Sequence, residues 1–289
     1  MKYVCNDCPN RCNVDRTVAT GACGAPYLPK VSRVALHQWE EPIISGTRGS
    51  GTIFFAGCNL RCVFCQNYVI SHDLLGRTYT VEALADAMRS LVDQGAHNIN
   101  FVTPSHYTHA VIAALARYRP PVPVVYNTSA YDAVDTLKRL EGLVDVYLPD
   151  YKYADAATAT AYSGVRDYPT VAWDAIAEMV RQQPQVVIED GLMKKGVMVR
   201  HLVLPEQSTQ SVEAVQRLYK TYGDGIYLSV MNQYTPMGEA AKYPEINRTL
   251  KPLEYTRVVA ALNRLGAQQV FVQESTAATT AYVPPFDGE

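Results

Sequence analysis

Three cysteines within one short stretch, GCNLRCVFCQN (57–67), are the residues best suited to chemistry. Cys58, Cys62 and Cys65 are spaced C-x3-C-x2-C and directly follow a β-branched and aromatic run. Structural zinc takes four protein ligands, and catalytic zinc takes three but rarely three cysteines. A four-iron cluster held by only three cysteines keeps one iron free to bind a small molecule. The spacing therefore predicts an iron–sulfur site with an open position, which the aromatic Phe64 would help to shield from water.

Four further cysteines, Cys5, Cys8, Cys12 and Cys23, account for the rest of the seven in the chain. Their spacing, C-x2-C-x3-C-x10-C, provides the four thiolates of a closed site, and a bound metal would fold a segment that has little to pack a core. Zinc and an auxiliary 4Fe-4S cluster both fit four cysteines, so the sequence leaves the two open. Free thiols on such a segment would be prone to oxidation. We therefore predict a second metal centre, structural or electron-carrying.

The composition is that of an ordinary globular protein of 289 residues, with 48% apolar residues and a formal net charge of −2. That charge argues against a nucleic-acid partner held by bulk electrostatics. No apolar run approaches the roughly 18 residues needed to span a bilayer, so no membrane partner is expected. The opening MKYVCNDCPN lacks the apolar region of a signal peptide. We expect a cytoplasmic protein, in which clustered cysteines hold metal more often than they form disulfides.

Strand-like and helix-like segments alternate along the chain. The predicted strands are 51–57, 98–104, 122–127, 144–150, 196–205, 225–234 and 268–274. The predicted helices are 80–95 and segments near 106–118, 131–141, 171–182, 208–221 and 252–265. Near-continuous apolar strands that alternate with helices indicate an α/β fold with a parallel sheet covered by helices. Six or more such units favour a full or partial (β/α) barrel over a doubly wound sheet.

We divide the chain into a cysteine-rich metal-binding segment with its lead-in, 1–45, and a barrel, 46–289. The barrel ends in a small, polar tail, STAATTAYVPPFDGE, which we expect to run over the surface. Polar residues follow five of the strands: first the three cysteines, then TPSH, NTS, DYK and NQYT. Catalytic groups converge at the carboxyl ends of barrel strands, so these residues are predicted to surround one site.

GCNLRCVFCQN resembles the signature of the radical S-adenosylmethionine (SAM) superfamily, C-x3-C-x-Φ-C with Φ aromatic. The wider chain, about 1–273, is similar to pyruvate formate-lyase activating enzymes, and more so to their stand-alone homologues with four N-terminal cysteines. The similar segments are WEEPIISGTRGSGTIFFAGCNLRCVFCQN, NINFVTPSHY, VVYNTSAYD, DVYLPDYKYAD, VRHLVLP and MNQYTP. The resemblance implies a partial (β/α)6 barrel with a 4Fe-4S cluster and SAM at the carboxyl ends of its strands. It also implies that reductive cleavage of SAM yields a 5′-deoxyadenosyl radical that takes a hydrogen atom from a substrate.

The resemblance further implies which residues contact SAM. Asp150, Tyr151 and Lys152 match an Asp-Leu-Lys segment that faces the ribose and the methionyl carboxylate. Three positions depart from the family, because Thr-Pro-Ser-His replaces a GGE segment, Asn-Thr-Ser replaces Asp-Thr-Asn, and a threonine replaces a histidine near the adenine. The implied SAM-binding residues are Phe64, Asn67, Thr103, Ser105, Asn127, Asp150, Tyr151, Lys152, Arg200 and Thr235. Taken alone, Asp150 and Lys152 are also compatible with a solvated ion pair.

Three functions remain open from the sequence. The first is a radical SAM activase that abstracts a hydrogen atom from a glycine of a glycyl-radical enzyme, with flavodoxin or ferredoxin as electron donor. The second is a radical SAM enzyme that acts on a small molecule or another polypeptide, since the departures from the family leave the substrate undetermined. The third belongs to another class, a zinc-stabilised binding module without redox chemistry.

Overall fold

The computed structural model describes residues 2–273 together with Pro284 and Phe286. The predicted surface tail therefore lies outside the described residues, apart from those two. In the described chain the strands are β1 (Lys30–His37), β2 (Ser50–Phe55), β3 (Arg77–Thr78), β4 (Ile99–Val102), β5 (Val124–Thr128), β6 (Val146–Pro149), β7 (Val187–Glu189), β8 (Leu192–Leu202), β9 (Tyr227–Met231) and β10 (Val270–Val272). The α-helices are α1 (Pro42–Ser45), α2 (Tyr68–Ser71), α3 (Val81–Asp93), α4 (Thr108–Arg117), α5 (Val134–Lys138), α6 (Ala156–Ser163), α7 (Tyr168–Gln182), α8 (Ser208–Tyr222) and α9 (Pro252–Leu265).

The strands join in one sheet with the order β10-β9-β8-β6-β5-β4-β2-β1-β3, and β7 pairs with β8. From β2 to β10 along this order, every pairing is parallel. Helices connect the parallel strands, as the alternating pattern of the sequence predicts. The α/β class and the partial-barrel architecture predicted from the sequence are confirmed.

Alternate residues along the parallel strands face opposite sides of the sheet. Tyr126 of β5 points outward, where its hydroxyl lies 2.9 Å from that of Thr108 on α4. Its neighbour Val125 points inward and packs against Ile44 of α1. The short helix α1 therefore closes the inside of the barrel from the amino-terminal side of the strands, which leaves the carboxyl ends open for a site.

Several elements were missed by the sequence analysis. Strand β1 lies within the segment assigned as a lead-in and pairs antiparallel with β2. The hairpin of β7 and β8 turns at Asp190 and Gly191, which have φ values of 51° and 74°. An Asp-Gly pair is a strong hairpin signal, so this turn was present in the sequence and overlooked. The predicted boundary between 45 and 46 stays a prediction.

The predicted helix 80–95 begins at a capping residue in the structure. The Thr80 hydroxyl accepts the backbone N–H of Ala83 (3.2 Å) at the start of α3, as a threonine cap should. Asp155 caps the unpredicted α6 by accepting the N–H of Thr158 (2.8 Å). Among the helices that the structure describes, none is long and apolar enough to cross a membrane.

Candidate active site

The cysteine loop leaves the end of β2 through Gly57, whose φ is 84°. A Cβ atom at this position would lie 3.0 Å from the carbonyl oxygen of Cys23 and 3.2 Å from the Cβ of Ala25. A side chain would therefore be strained here and would also push the two segments apart. The glycine before the three cysteines allows the N-terminal segment to pack directly on the loop.

The three sulfurs of the loop each accept a hydrogen bond from a neighbouring group. The donors are the Leu60 N–H (3.4 Å to Cys58), the Ser163 hydroxyl (3.1 Å to Cys62) and the Ser71 hydroxyl (3.3 Å to Cys65). Donors of this kind favour the thiolate, which is the form that binds iron, and they partly offset the burial that raises the pKa of Cys58 to about 12 and also raises that of Cys65. The ligand set and its surroundings therefore fit a metal–sulfur centre.

A cavity of about 710 Å³ opens beside these cysteines at the carboxyl ends of the strands. Its volume is in the range of small-molecule sites. All three cysteines line it, as do most of the SAM contacts implied by the sequence: Phe64, Asn67, Thr103, Asn127, Asp150, Lys152 and Arg200. The fold thus brings together residues from five separate loops and strands around one space.

An ion cluster of Asp150, Lys152 and Arg200 forms one wall of the cavity. Lys152 Nζ lies 2.6 Å from Asp150 Oδ2, and Arg200 Nε donates to Asp150 Oδ1 at 2.7 Å. Burial opposes ionisation of Asp150, but the charges of Arg200 and Lys152 outweigh it and hold the pKa of this carboxyl below its usual value. Their side chains are only 15 to 18% exposed, so the solvated surface pair considered from the sequence is not what forms.

Glu40 joins this ion cluster through Arg200 and was not predicted as a site residue. One carboxylate oxygen accepts Arg200 Nη1 (3.1 Å), and the other accepts the Asn127 amide (3.0 Å). Arg200 Nη2 also donates to Asn127 Oδ1 (2.7 Å), so the amide bridges the two charges. Glu40 precedes α1, and its position inside the barrel follows from how that helix packs. No local sequence pattern indicates this.

Glu41 also lines the cavity and differs from Glu40 in its surroundings. Its carboxyl accepts the hydroxyl of Ser229 on β9 at 2.7 Å. Burial raises its pKa, an effect that the Ser229 bond and the Arg200 charge only partly offset. The barrel interior therefore holds two neighbouring glutamates, of which Glu40 pairs with Arg200 and Glu41 has a pKa raised by burial.

The backbone at the end of β4 is strained where it meets the cavity. Thr103 has a φ of 58°, which is unusual for a β-branched residue. Its N–H donates to the carbonyl of Asn127 (2.8 Å), so the strand pairing holds this conformation. Strained residues of this kind concentrate at functional sites.

Three residues implied by the resemblance are not among the described lining of the cavity: Ser105, Tyr151 and Thr235. Ser105 is buried, with its hydroxyl 3.1 Å from that of Thr128. Tyr151 follows Asp150 directly and so points to the opposite face, where Arg217 Nη1 donates to its hydroxyl (3.4 Å). Tyr234 lines the cavity in the region of Thr235.

Phe64 lies within an aromatic cluster on the wall of the cavity. Its ring is edge-on to those of Tyr153, Tyr162 and Tyr234, with centroid distances of 6.5, 6.2 and 5.8 Å. These edge-to-face contacts are a favourable geometry for aromatic pairs. Phe64 is itself buried, so its place in this cluster is compatible with the predicted shielding role, which stays a prediction.

The described part of the C-terminal tail meets the cavity on another side. Pro284 lines it, and the ring centroid of Phe286 lies 5.4 Å from that of Phe54. Phe54 is on β2 and lines the cavity as well.

The four N-terminal cysteines lie together in a segment with little regular structure. Cys5, Cys8 and Cys23 are buried, and Cys12 is partly exposed. Burial, together with the charges of Cys23, Cys5 and Cys12, raises the pKa of the Cys8 thiol to about 12, so the four thiols are near one another. The backbone N–H of Ala22 donates to Cys12 Sγ at 3.3 Å.

The N-terminal segment is fixed to the barrel by a buried carboxylate. Asp7 lies 2.9 Å from His109 Nδ1 on α4 and accepts Arg139 Nη1 at 3.2 Å. Burial opposes ionisation of Asp7, but these partners and a hydrogen bond from Tyr3 lower its pKa overall. The segment also reaches the cysteine loop, because the Asn10 amide donates to the Asn59 carbonyl (2.8 Å).

A model of the radical SAM superfamily matches residues 52–218 of the chain. This is more than half of its length and includes the cysteine loop and the cluster of Asp150 and Lys152. The chain therefore belongs to the radical SAM superfamily, whose members are enzymes that use a 4Fe-4S cluster and SAM.

Individual proteins resemble the chain over most of its length. An uncharacterized protein of Methanocaldococcus jannaschii is 32% identical over 255 residues, which cover 85% of this chain and 70% of that protein. The crystal structure of methylornithine synthase (PylB) has a TM-score of 0.51 at 12% identity, over 80% of this chain and 75% of the synthase.

The structure of Streptococcus suis SuiB bound to the precursor peptide SuiA also has a TM-score of 0.51, at 14% identity and over 76% of this chain. The alignment covers 47% of SuiB, so this chain spans about half the length of that protein. At such identities, the two crystal structures show a shared fold alone.

Proposed function

We propose that the chain cleaves SAM reductively in the cavity beside the cysteine loop and uses the resulting 5′-deoxyadenosyl radical to abstract a hydrogen atom from a substrate. The observation that carries this proposal is that Cys58, Cys62 and Cys65 share one cavity with the ion cluster of Asp150, Lys152 and Arg200. A binding module without redox chemistry would have no need for a three-thiolate site that opens into such a cavity.

The three cysteines would hold the cluster at the edge of the cavity, with Ser71 and Ser163 donating to two of the sulfurs. A four-iron cluster bound there would supply the electron for SAM cleavage and an iron position that is free to bind SAM. The buried Phe64 would keep water away from this region.

The ion cluster would bind the polar parts of SAM. Each Asp150 oxygen accepts one hydrogen bond from a cation, so each keeps a lone pair for a ribose hydroxyl. Lys152 carries two further N–H donors that can offset the methionyl carboxylate. Asn67, Thr103 and Asn127 complete the proposed SAM contacts along the cavity wall.

For the substrate, the first hypothesis is a glycine of a glycyl-radical enzyme, with flavodoxin or ferredoxin as electron donor. It rests on the similarity of the segments from WEEP to MNQYTP to activating enzymes. The alternative is a small molecule or another polypeptide, which the departures at 103–106 and at Thr235 favour. Cys5, Cys8, Cys12 and Cys23 are proposed to hold a second metal, zinc or an iron–sulfur cluster.

Anaerobic incubation of the iron-loaded protein with dithionite and SAM tests the proposal. We expect 5′-deoxyadenosine and methionine from the wild-type protein and neither from a Cys58→Ala/Cys62→Ala/Cys65→Ala variant. If the fully loaded wild-type protein forms no 5′-deoxyadenosine, the proposed function is wrong. With a candidate partner enzyme added, a glycyl-radical signal in electron paramagnetic resonance would identify an activase, whereas SAM cleavage without that signal would favour the alternative.

A further inference from the structure

The N-terminal segment contains a buried arginine whose described partners include no carboxylate. Arg16 is only 2% exposed. Its guanidinium donates to the carbonyls of Ala25 (3.2 Å), Pro26 (2.6 Å) and His106, and Nη1 lies 3.9 Å from the sulfur of Cys5. Carbonyl groups satisfy the hydrogen bonds but carry no net charge. A buried charge without a counter-charge is strongly destabilising, so this guanidinium needs a nearby anion.

The nearest candidates for that anion are the cysteine sulfurs. Cys5 contacts Arg16 directly, and Cys23 is close enough to interact with its charge. On the other side, Arg16 lies over the ring of Tyr107, 4.9 Å from the centroid, which supplies only a quadrupole. Four thiolates around a metal carry excess negative charge, because their four charges exceed that of one Zn²⁺ or of an oxidised four-iron core.

The spacing of the thiols distinguishes the two kinds of metal. Zinc–sulfur bonds of about 2.3 Å bring tetrahedral thiolates within about 4 Å of one another. Across residues 2–273, no three His, Cys, Asp or Glu side chains are grouped closely enough to hold a single metal ion. This applies equally to Cys58, Cys62 and Cys65, the group that carries the superfamily signature. A cubane of four irons and four sulfides separates its thiolates further, which suits both groups.

We infer that Cys5, Cys8, Cys12 and Cys23 hold a second 4Fe-4S cluster and that Arg16 is its buried counter-charge. This inference rests on the second metal site of the proposed function and specifies its occupant. Each of the four irons would then have a cysteine ligand, so the site would be closed to small molecules. Arg16 also ties the site to the barrel, because its bond to the His106 carbonyl reaches the segment after β4.

The occupant is tested in the Cys58→Ala/Cys62→Ala/Cys65→Ala variant, reconstituted anaerobically with iron and sulfide. We expect roughly four irons and four sulfides per chain, with little zinc, and a paramagnetic signal after reduction. One zinc per chain without iron would overturn the inference, as would the absence of any metal. The result does not depend on SAM cleavage, so the proposed function and this inference can fail separately.

The role of Arg16 is tested by substitutions in the same variant. Arg16→Met should release iron to a chelator roughly tenfold or more faster, because the cluster charge loses its buried partner. Arg16→Lys keeps the charge and should retain most of the stability of the cluster. Arg11→Met is the matched control, since it removes an equal charge from the same segment at a position where the side chain is 54% exposed.

Circular dichroism of the three variants verifies that the barrel remains folded. If Arg16→Met and Arg11→Met release iron at the same rate, or if Arg16→Lys loses iron as fast as Arg16→Met, Arg16 is not the counter-charge. Should Arg16→Met fail to fold, the comparison of Arg16→Lys with Arg11→Met decides: iron retained in both supports the role of the charge, and rapid loss in the lysine variant contradicts it.

Discussion

The two cysteine groups of this chain differ in what lies beside them. Cys58, Cys62 and Cys65 follow a buried strand and face a cavity with an ion cluster on its wall. Cys5, Cys8, Cys12 and Cys23 lie in a segment of turns, and the enclosed Arg16 contacts the sulfur of Cys5. One group faces a cavity, and three members of the other are buried in their own segment. On the proposals made above, similar residues would serve reactivity in one place and a closed metal centre in the other.

The largest expected effect separates the two groups by single substitutions. Cys62→Ala should abolish formation of 5′-deoxyadenosine while the barrel stays folded, since it removes one sulfur from a loop and leaves the strands unchanged. Cys8→Ala should instead lower the metal content and the thermal stability of the chain but leave detectable SAM cleavage. If Cys62→Ala still cleaved SAM, the proposed difference in function between the two cysteine groups would be wrong.

The next effect concerns the wall of the open site. Asp150→Asn leaves the buried Lys152 and Arg200 without their shared carboxylate. The change also removes the carboxylate proposed to accept the ribose hydroxyls of SAM. Loss of one partner from such a desolvated contact costs about 2–5 kcal/mol, so the affinity for SAM should fall roughly 30- to several-thousand-fold. Because the cations remain buried, the SAM-free protein should lose stability as well.

Asp145→Asn is the matched control for this change. Asp145 comes directly before β6, at the opposite end from Asp150, and pairs with Arg119 (2.8 Å) away from the cavity. Its substitution should leave the affinity for SAM within about twofold. Calorimetric titration of the cluster-loaded protein measures the affinity of each variant for SAM. Equal affinities for the two variants would show that Asp150 does not contact SAM.

A smaller effect is expected at His106, which lies between the N-terminal cysteine segment and the cysteine loop. Its Nε2 is 2.9 Å from the carbonyl of Ala56 beside the cysteine loop, and burial lowers its pKa to about 3. In the unfolded chain this imidazole has a pKa near 6.5, whereas in the folded chain it stays neutral until the pH approaches about 3. The free energy of unfolding is therefore highest above pH 6.5 and falls as the pH decreases.

Between pH 7 and pH 5 this histidine should account for a loss of about 2 kcal/mol. His106→Gln keeps a donor for the Ala56 carbonyl and does not titrate, so its free energy of unfolding should vary less with pH by that amount. Denaturant unfolding at both pH values, in the same metal state, measures the difference. Identical pH dependence of the two proteins would exclude a neutral buried His106.

The smallest effect is expected from Tyr151→Phe. The hydroxyl of Tyr151 faces Arg217 on the outside of the barrel, although the residue is adjacent to Asp150. The affinity for SAM should change by less than about twofold, or roughly 0.4 kcal/mol. A larger loss in titration would mean that the SAM site extends to the outer face.

Local patterns in the sequence predicted the parallel strands and both cysteine groups, and the resemblance to the family implied the shared location of Asp150, Lys152 and Arg200. The period of two along a strand also separates Tyr151 from its neighbours, and this signal was overlooked. Glu40 and Glu41 could not be found in this way. They reach the cavity because α1 packs inside the barrel, which depends on contacts with Val125 and other residues distant in sequence.

The burial of Arg16 could not be predicted from the sequence for a related reason. An arginine in a polar, cysteine-rich segment is expected to be solvated, and nothing in its immediate neighbours indicates burial. Its enclosure follows from packing of the segment against the His106 carbonyl and Tyr107, both of which lie after β4.

Electron paramagnetic resonance of the reduced protein, with and without SAM, tests the contrast between an open and a closed site most directly. We expect SAM to change the spectrum of the wild-type protein, because one iron of the cluster proposed on Cys58, Cys62 and Cys65 can bind it. We also expect the variant with alanine at those three positions to retain a cluster signal that SAM leaves unchanged. A SAM-dependent change in that variant, or its absence in the wild-type protein, would contradict the account.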